Sequence, residues 1–280
     1  MAEKHSAPPR HRDDPRASDV HHGRANARGR NAAHLTLGVA PGVHRLEHAY
    51  VNCYLVEGEQ GITLVDAAFP ATWPFLERAL HALHRDTSDV NALVLTHAHF
   101  DHIGFARRIQ QDWGVPVWAH AAEAYIARHP YRYAHERSRV LYPVREPRIL
   151  PVLGSMVRAG ALNVRGVSDL HFFSPGDTLT VPGAPRVVFS PGHTFGHSAL
   201  HLVERNAVIT GDALVTLDPY TGATGPRIVA GAATADSTEA LNSLQKLEET
   251  GAQIVLPGHG PVWRDGIAAA VAAARAAGRS

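Results

Sequence analysis

The chain has 280 residues, a formal net charge of +1, and 45% hydrophobic and 19% charged residues, the balance of an ordinary soluble globular protein. That length suits one large domain or two small ones with a self-sufficient core, and the single cysteine, Cys53, excludes an internal disulfide framework. No apolar run reaches the roughly 18 residues of a transmembrane helix, and no apolar signal-peptide segment opens the chain, so a cytoplasmic protein without membrane partners is expected.

Residues 1–33 carry seven Lys/Arg against four acids, +3, which leaves −2 on the rest. Such a segment, almost free of large apolar side chains, cannot offset its ordering entropy, and a disordered basic tail is expected over 1–33. The folded domain is expected over 34–280. A mildly acidic body without a basic stripe argues against nucleic acid as the main partner and leaves a small molecule.

In chain order, 51-VNCYLVEGEQGITLVDAAFP-70 reads as two strands around a Glu-Gly-Glu-Gln-Gly turn. Phe75, Leu76, Ala79, Leu80 and Leu83 fall at helical spacing within 71–84. The run 91-NALVLT-96 is a strand buried on both faces, followed by a helix from about Ile103 to Asp112 and the strand 115–119. Further strands are predicted at 177–183, 186–190, 198–204, 206–211 and 253–257, with helices at 236–250 and from Arg264 onward. Two β-rich halves, each finished by helices, predict an α/β protein with packed sheets and helices outside. Residues 120–175, rich in aromatics and arginines, read either as a lid or pocket wall or as a helical hairpin that pads the core.

The chemistry concentrates at strand ends. Directly after ALVLT comes 97-HAHFDH-102; in an extended segment residues 97, 99 and 101 share one face, and the following turn swings His102 toward it. Imidazole and carboxylate are the ligands zinc takes when thiolate is absent. Three further candidates stand past apolar strands with glycine beside them: His193 in SPGHTFGHS, Asp212 in ITGDA and His259 in LPGHGP. His120, His171 and His201 read as structural, and Cys53 as a small buried hydrophobe.

The order HAHFDH, PGHTFGH, GDA and PGHG, together with 64-LVDAAFP-70, resembles the metallo-β-lactamase superfamily over roughly Val39 to Arg264, with the ligand set of its glyoxalase II enzymes. The resemblance implies an αβ/βα four-layer sandwich with a two-metal site on the strand edge. By position, His97, His99 and His193 would bind the first metal, Asp101, His102 and His259 the second, and Asp212 would bridge them. Two Zn²⁺ are expected, with Fe or Mn also suited to these ligands. The resemblance gives Asp66 a hydrogen bond that fixes a histidine tautomer from behind, against the alternative of a turn-forming acid. His197 reads either as a similar supporting group or as an exposed turn histidine.

The implied activity is hydrolysis of an ester, thioester or lactone by a metal-bridging hydroxide, with Asp101 orienting or shuttling the proton. An aspartate at the bridging position argues against antibiotic hydrolysis. Only 21 residues follow His259, too few for the glutathione-holding helical region of glyoxalase II. Val215 stands where acyl-homoserine lactonases usually carry tyrosine. Tyr220 and Arg227, in the loop after Asp212, are candidate substrate contacts, with a solvated loop as the plainer reading. A mononuclear iron dioxygenase acting on a persulfide and a non-catalytic metal-binding module are the alternatives. The fold often pairs, so a homo-oligomer is compatible with the resemblance.

Overall fold

The computed structural model describes residues 33–139 and 142–279; nearly all of the expected 1–33 tail lies outside them. Among the described residues, seven strands bond in chain order into one sheet: β1 (His34–Ala40), β2 (Val43–His48), β3 (Val51–Gly58), β4 (Gly61–Val65), β5 (Val90–Val94), β6 (Val117–His120) and β7 (Leu170–Phe173). The first four pair antiparallel, and β4 to β7 run parallel. Parallel neighbours need crossovers. These are supplied by α1 (Trp73–Ala82), α2 (Ala106–Trp113), and then α3 (Ala124–Arg128), α4 (Tyr142–Arg145) and α5 (Leu150–Arg158).

A second sheet is built from β8 (Arg186–Phe189), β9 (Ser198–Leu202), β10 (Ala207–Gly211) and β13 (Ile254–Pro257), in the order β13-β10-β9-β8. Between β10 and β13 come the hairpin β11 (Val215–Leu217) and β12 (Thr224–Arg227) and the helix α6 (Ser237–Glu248); α7 (Gly266–Ala277) closes the fold. Asp236 caps α6 by accepting from the backbone N–H groups of Thr238 and Glu239 at 2.8 and 2.9 Å.

The layering follows from a two-residue period in strands that are apolar on both faces. Leu55, Leu64 and Leu93 pack outward against Leu76, Leu80, Ile109 and Met156 of the helices. Their neighbours Val56, Val65 and Val94 pack inward against Leu200, Leu202, Ile209 and Leu256 of the second sheet. On the far side, Val208 and Val255 meet Leu244, Leu247, Ile267 and Val271 of α6 and α7. The result is the expected αβ/βα four-layer sandwich.

Several sequence expectations shift. The segment 177–183 is not a strand: apart from one bridge, Thr178 to Arg186, it is irregular backbone with bends and a turn around Pro182, which cannot donate to a ladder. Helix α2 starts at Ala106 rather than Ile103; Gly104, just before it, lies so close to the Ala68 carbonyl that a Cβ would sit 2.2 Å from it. Strands β1, β2, β7, β11 and β12 escaped the sequence reading, the last two being only three and four residues long. Within 120–175, Val152, Met156, Ala159, Val164 and Val167 belong to the first core, and Met156 with neighbouring residues also walls a cavity described below.

Parallel pairing of β4 with β5 and of β10 with β13 brings the C-terminal ends of these strands to one edge. Backbone bonds lace that edge across the two sheets, from Asn52 N–H to the Gly258 carbonyl at 2.8 Å and from Ser198 N–H to the Thr96 carbonyl at 2.9 Å.

Candidate metal centre

At this edge the structure brings together all seven residues singled out as ligands, each of them buried. His97, His99 and His193 form one group, Asp101, His102 and His259 another, and Asp212 joins His97 and His102 in a third; within each group the ligand atoms lie within 4.8 Å of one another. His193 Nε2 is 3.0 Å from His99 Nδ1. The Asp212 carboxylate faces both sides: Oδ2 is 3.6 Å from His193 Nε2 and 3.2 Å from His259 Nε2, and Oδ1 is 3.5 Å from His102 Nε2. Asp101 Oδ2 lies 3.4 Å from His259 Nε2 and 3.9 Å from His102 Nε2.

The opposite ring nitrogens fix the tautomers. His259 Nδ1 donates to the Tyr50 carbonyl at 2.7 Å, and His102 Nδ1 to Asp66 Oδ2 at 3.0 Å. Thr234 Oγ1 spends its proton on the Val229 carbonyl and Thr96 Oγ1 on Asp66, so they accept from His193 Nδ1 and His97 Nδ1 at 3.4 and 3.0 Å. In its neutral form each of these four imidazoles therefore turns an Nε2 lone pair inward.

Buried together without hydrogen-bond partners are His97 Nε2, His102 Nε2, His259 Nε2 and Asp212 Oδ1. A convergent set of unmatched lone-pair atoms fits a cation, since a bound ion would satisfy all of them at once. Only glycine fits at 258, where a Cβ would stand 2.1 Å from Asp212 Oδ1. Electrostatics agree. Burial pushes His97 and His99 well below the usual histidine range and His193 down to about 4. Burial also opposes charge on His102 and His259, yet the carboxylates of Asp212 and Asp101 outweigh it, raising His102 well up and His259 to about 10. The carboxylate side of the cluster draws positive charge.

Supporting groups surround the candidate ligands. Asp66, at φ +61°, accepts from Thr96 N–H and Thr96 Oγ1, both at 2.8 Å, in addition to His102. His197 is buried, not an exposed turn residue: its Nε2 accepts from the N–H groups of Asp212 and Ala213 at 3.1 and 3.2 Å, and its Nδ1 donates to Ser190 Oγ at 2.9 Å. Burial lowers its pKa to about 3, which keeps Nε2 an acceptor. Glu123 was missed by sequence reasoning. Fully buried in the 3₁₀ turn after β6, it accepts from Ala98 N–H at 2.8 Å and from Gly196 N–H at 2.9 Å, tying the two histidine loops together. The only sequence signal was an acid in an apolar setting at a strand end.

The candidate substrate contacts separate. Tyr220 lines a cavity of about 250 Å³ beside the cluster, and its hydroxyl is 3.4 Å from that of Tyr133. The structure does not bring Arg227 there: its guanidinium donates to the carbonyls of Gly225 and Thr224 in its own hairpin. The arginine that lines the cavity is Arg139, over the Tyr133 ring at 4.1 Å.

A family model of the metallo-beta-lactamase superfamily matches residues 47–259, and the chain belongs to that superfamily. It is 27% identical over 237 residues to the probable metallo-hydrolase YflN of Bacillus subtilis (strain 168), spanning 79% of this chain and 84% of that protein. It is also 27% identical over 237 residues to atrochrysone carboxyl ACP thioesterase of Aspergillus fumigatus, spanning 81% of this chain but 55% of that one. Among solved structures, the metallo-beta-lactamase family protein TTHA1429 of Thermus thermophilus matches with a TM-score of 0.60 at 26% identity, covering 83% of this chain and 77% of that one. TTHA1623, solved in a di-iron-bound form, matches with a TM-score of 0.54 at 25% identity, covering 78% and 92%. Family and relatives together make the chain a metal-dependent hydrolase. No helix among the described residues is long and apolar enough to cross a membrane.

Proposed function

We propose that the chain is a dinuclear metallohydrolase of an ester, thioester or lactone. The observation that carries this reading is the Asp212 carboxylate, which faces His193 on one side and His102 and His259 on the other within 3.6 Å. His97 Nε2, His99 Nδ1 and His193 Nε2 would hold one ion, and Asp101, His102 Nε2 and His259 Nε2 the other, with Asp212 between them. Two zinc ions suit this all-nitrogen-and-oxygen set, and iron suits it equally. When bound, such a pair supplies an acidified water and an electrophile for a carbonyl oxygen.

The chain's own residues manage geometry and protons. Asp101 Oδ2 faces the imidazoles, which leaves Oδ1 to take a proton from the attacking water. Water oxygen bonds to the acyl carbon, the bond to the leaving sulfur or oxygen breaks, and Asp101 Oδ1 returns the proton to that atom. Asp66, Thr234 and the Tyr50 carbonyl keep the imidazoles in the tautomer the ligands need. The thioesterase among the relatives supports thioesters as one substrate class.

The test is elemental mass spectrometry on untagged protein purified without added metal, followed by a thioester and lactone panel. About two divalent ions per chain with turnover is the expected result. About one iron, with oxygen consumed on a persulfide, would replace it with the iron dioxygenase reading. No metal after reconstitution would overturn it altogether.

A further inference from the structure

The cavity that Tyr220 lines adjoins the metal cluster through one aromatic ring. Tyr133 packs against the His99 imidazole with centroids 3.8 Å apart and the rings tilted by 34°, and Phe100, the residue after His99, also lines the cavity. The His99 ring and the Arg139 guanidinium both lie within 4.1 Å of the Tyr133 ring centre. The remaining wall is apolar, with Ile149, Leu153, Met156 and Val157 contributed by the segment 147–158. Tyr131 has its hydroxyl engaged by the Ala161 carbonyl and the Val164 N–H. The hydroxyls of Tyr133 and Tyr220 pair at the end nearest the cluster. At the outer end large apolar side chains stay exposed, Leu162 at 77% and Val157 at 49%.

We propose that this cavity is the acyl subsite and takes a neutral, apolar acyl chain whose carbonyl lies at the metal cluster; the proposal rests on the hydrolase reading above. The Tyr133 and Tyr220 hydroxyls supply polar capacity where a carbonyl would lie, and apart from the unpartnered Tyr142 hydroxyl and Arg139 the rest of the wall offers a chain apolar contact. Arg139, the one charged lining residue, has no carboxylate at ion-pair distance among the described residues, and its charge lies on the Tyr133 face. Size sets the chain length. An apolar cavity of about 150 Å³ accommodates benzene, so about 250 Å³ holds roughly six to ten carbon atoms. Longer chains would run out over the exposed Val157 and Leu162.

The experiment compares p-nitrophenyl acetate, hexanoate and octanoate on the metal-loaded wild type and on Leu153→Trp, whose indole fills the cavity. Burial of each methylene is worth up to roughly fourfold, so the wild type should prefer octanoate over acetate by at least about tenfold in kcat/KM. In Leu153→Trp that ratio should fall to about one. Val157→Trp, at a half-exposed position that tolerates bulk, repeats the test should Leu153→Trp fail to fold. Calorimetric titration with free octanoate and acetate reads the cavity without turnover, and the same preference and its loss are expected. If esters turn over with no chain-length preference, and neither variant changes the ratio, the subsite is overturned while the hydrolase stands. If nothing turns over but octanoate still binds in a Leu153→Trp-sensitive way, the hydrolase reading fails and the apolar subsite survives.

Discussion

Asp66 and His102 meet 36 residues apart in sequence at 3.0 Å, carboxylate to Nδ1, with both side chains buried. The aspartate thereby decides which nitrogen of His102 faces the cluster. Asp66→Asn keeps the shape but turns an amide N–H₂ toward Thr96 or His102, where an acceptor is needed. Metal affinity should fall about 10–100-fold, as is usual when a ligand loses its supporting hydrogen bond, with little change in overall fold. Chelator competition measures it, and unchanged affinity would assign Asp66 to the turn alone.

His197 holds the backbone of Asp212 rather than an ion. His197→Ala leaves the buried N–H groups of Asp212 and Ala213 without their acceptor and opens a cavity. A loss of about 2–4 kcal/mol is expected. Urea unfolding of the metal-free protein isolates this effect from metal binding.

Glu123 bridges Ala98 and Gly196 with one carboxylate oxygen each. Glu123→Gln supplies only one acceptor and sets its amide N–H₂ against the other N–H, so about 1–3 kcal/mol should be lost. Burial pushes the Glu123 carboxyl up. The folded state then binds its proton more readily than the unfolded chain, and the stability this group contributes is present at acid pH and lost as pH rises through its raised value. That falling limb should flatten in Glu123→Gln, as seen by melting across the acid range.

Ions that bind only the native cluster stabilise it by mass action. At free metal about 100-fold above Kd the gain is about 2.7 kcal/mol, so a chelator should lower Tm by about 5–10 °C. Added Zn²⁺ should restore it. A melt indifferent to chelator would contradict a metal bound at this edge.

Cys53 is buried in β3, where its thiol donates to the Leu46 carbonyl at 3.5 Å and burial pushes its pKa up. No reaction with Ellman's reagent is expected in the native protein at mildly alkaline pH, and one thiol per chain in denaturant. Fast native reaction would show that this sheet opens.

What could be read along the chain was whatever neighbours in sequence express together. The apolar run 91-NALVLT-96 already announces a strand buried on two faces. His97, His99, Asp101 and His102 announce a candidate ligand set because an extended segment and its turn hold them within six residues. Proline chemistry was legible too, but was outweighed by the apolar letters of 177–183, which the structure shows as irregular backbone.

Other features depend on distant partners. Glu123 matters because folding sets it between the loops of Ala98 and Gly196, and no local pattern marks that. Arg227 and Arg139 are equally plausible as letters; only the packed structure turns one onto its own hairpin and the other onto the ring beside His99. The candidate ligands were thus legible from local spacing at strand ends, a property of a short stretch of backbone, and the four-layer order from the family resemblance. The pairing of supporting groups and the shape of the cavity came from tertiary packing, because hydrogen bonds and apolar walls are made between residues that sequence leaves far apart.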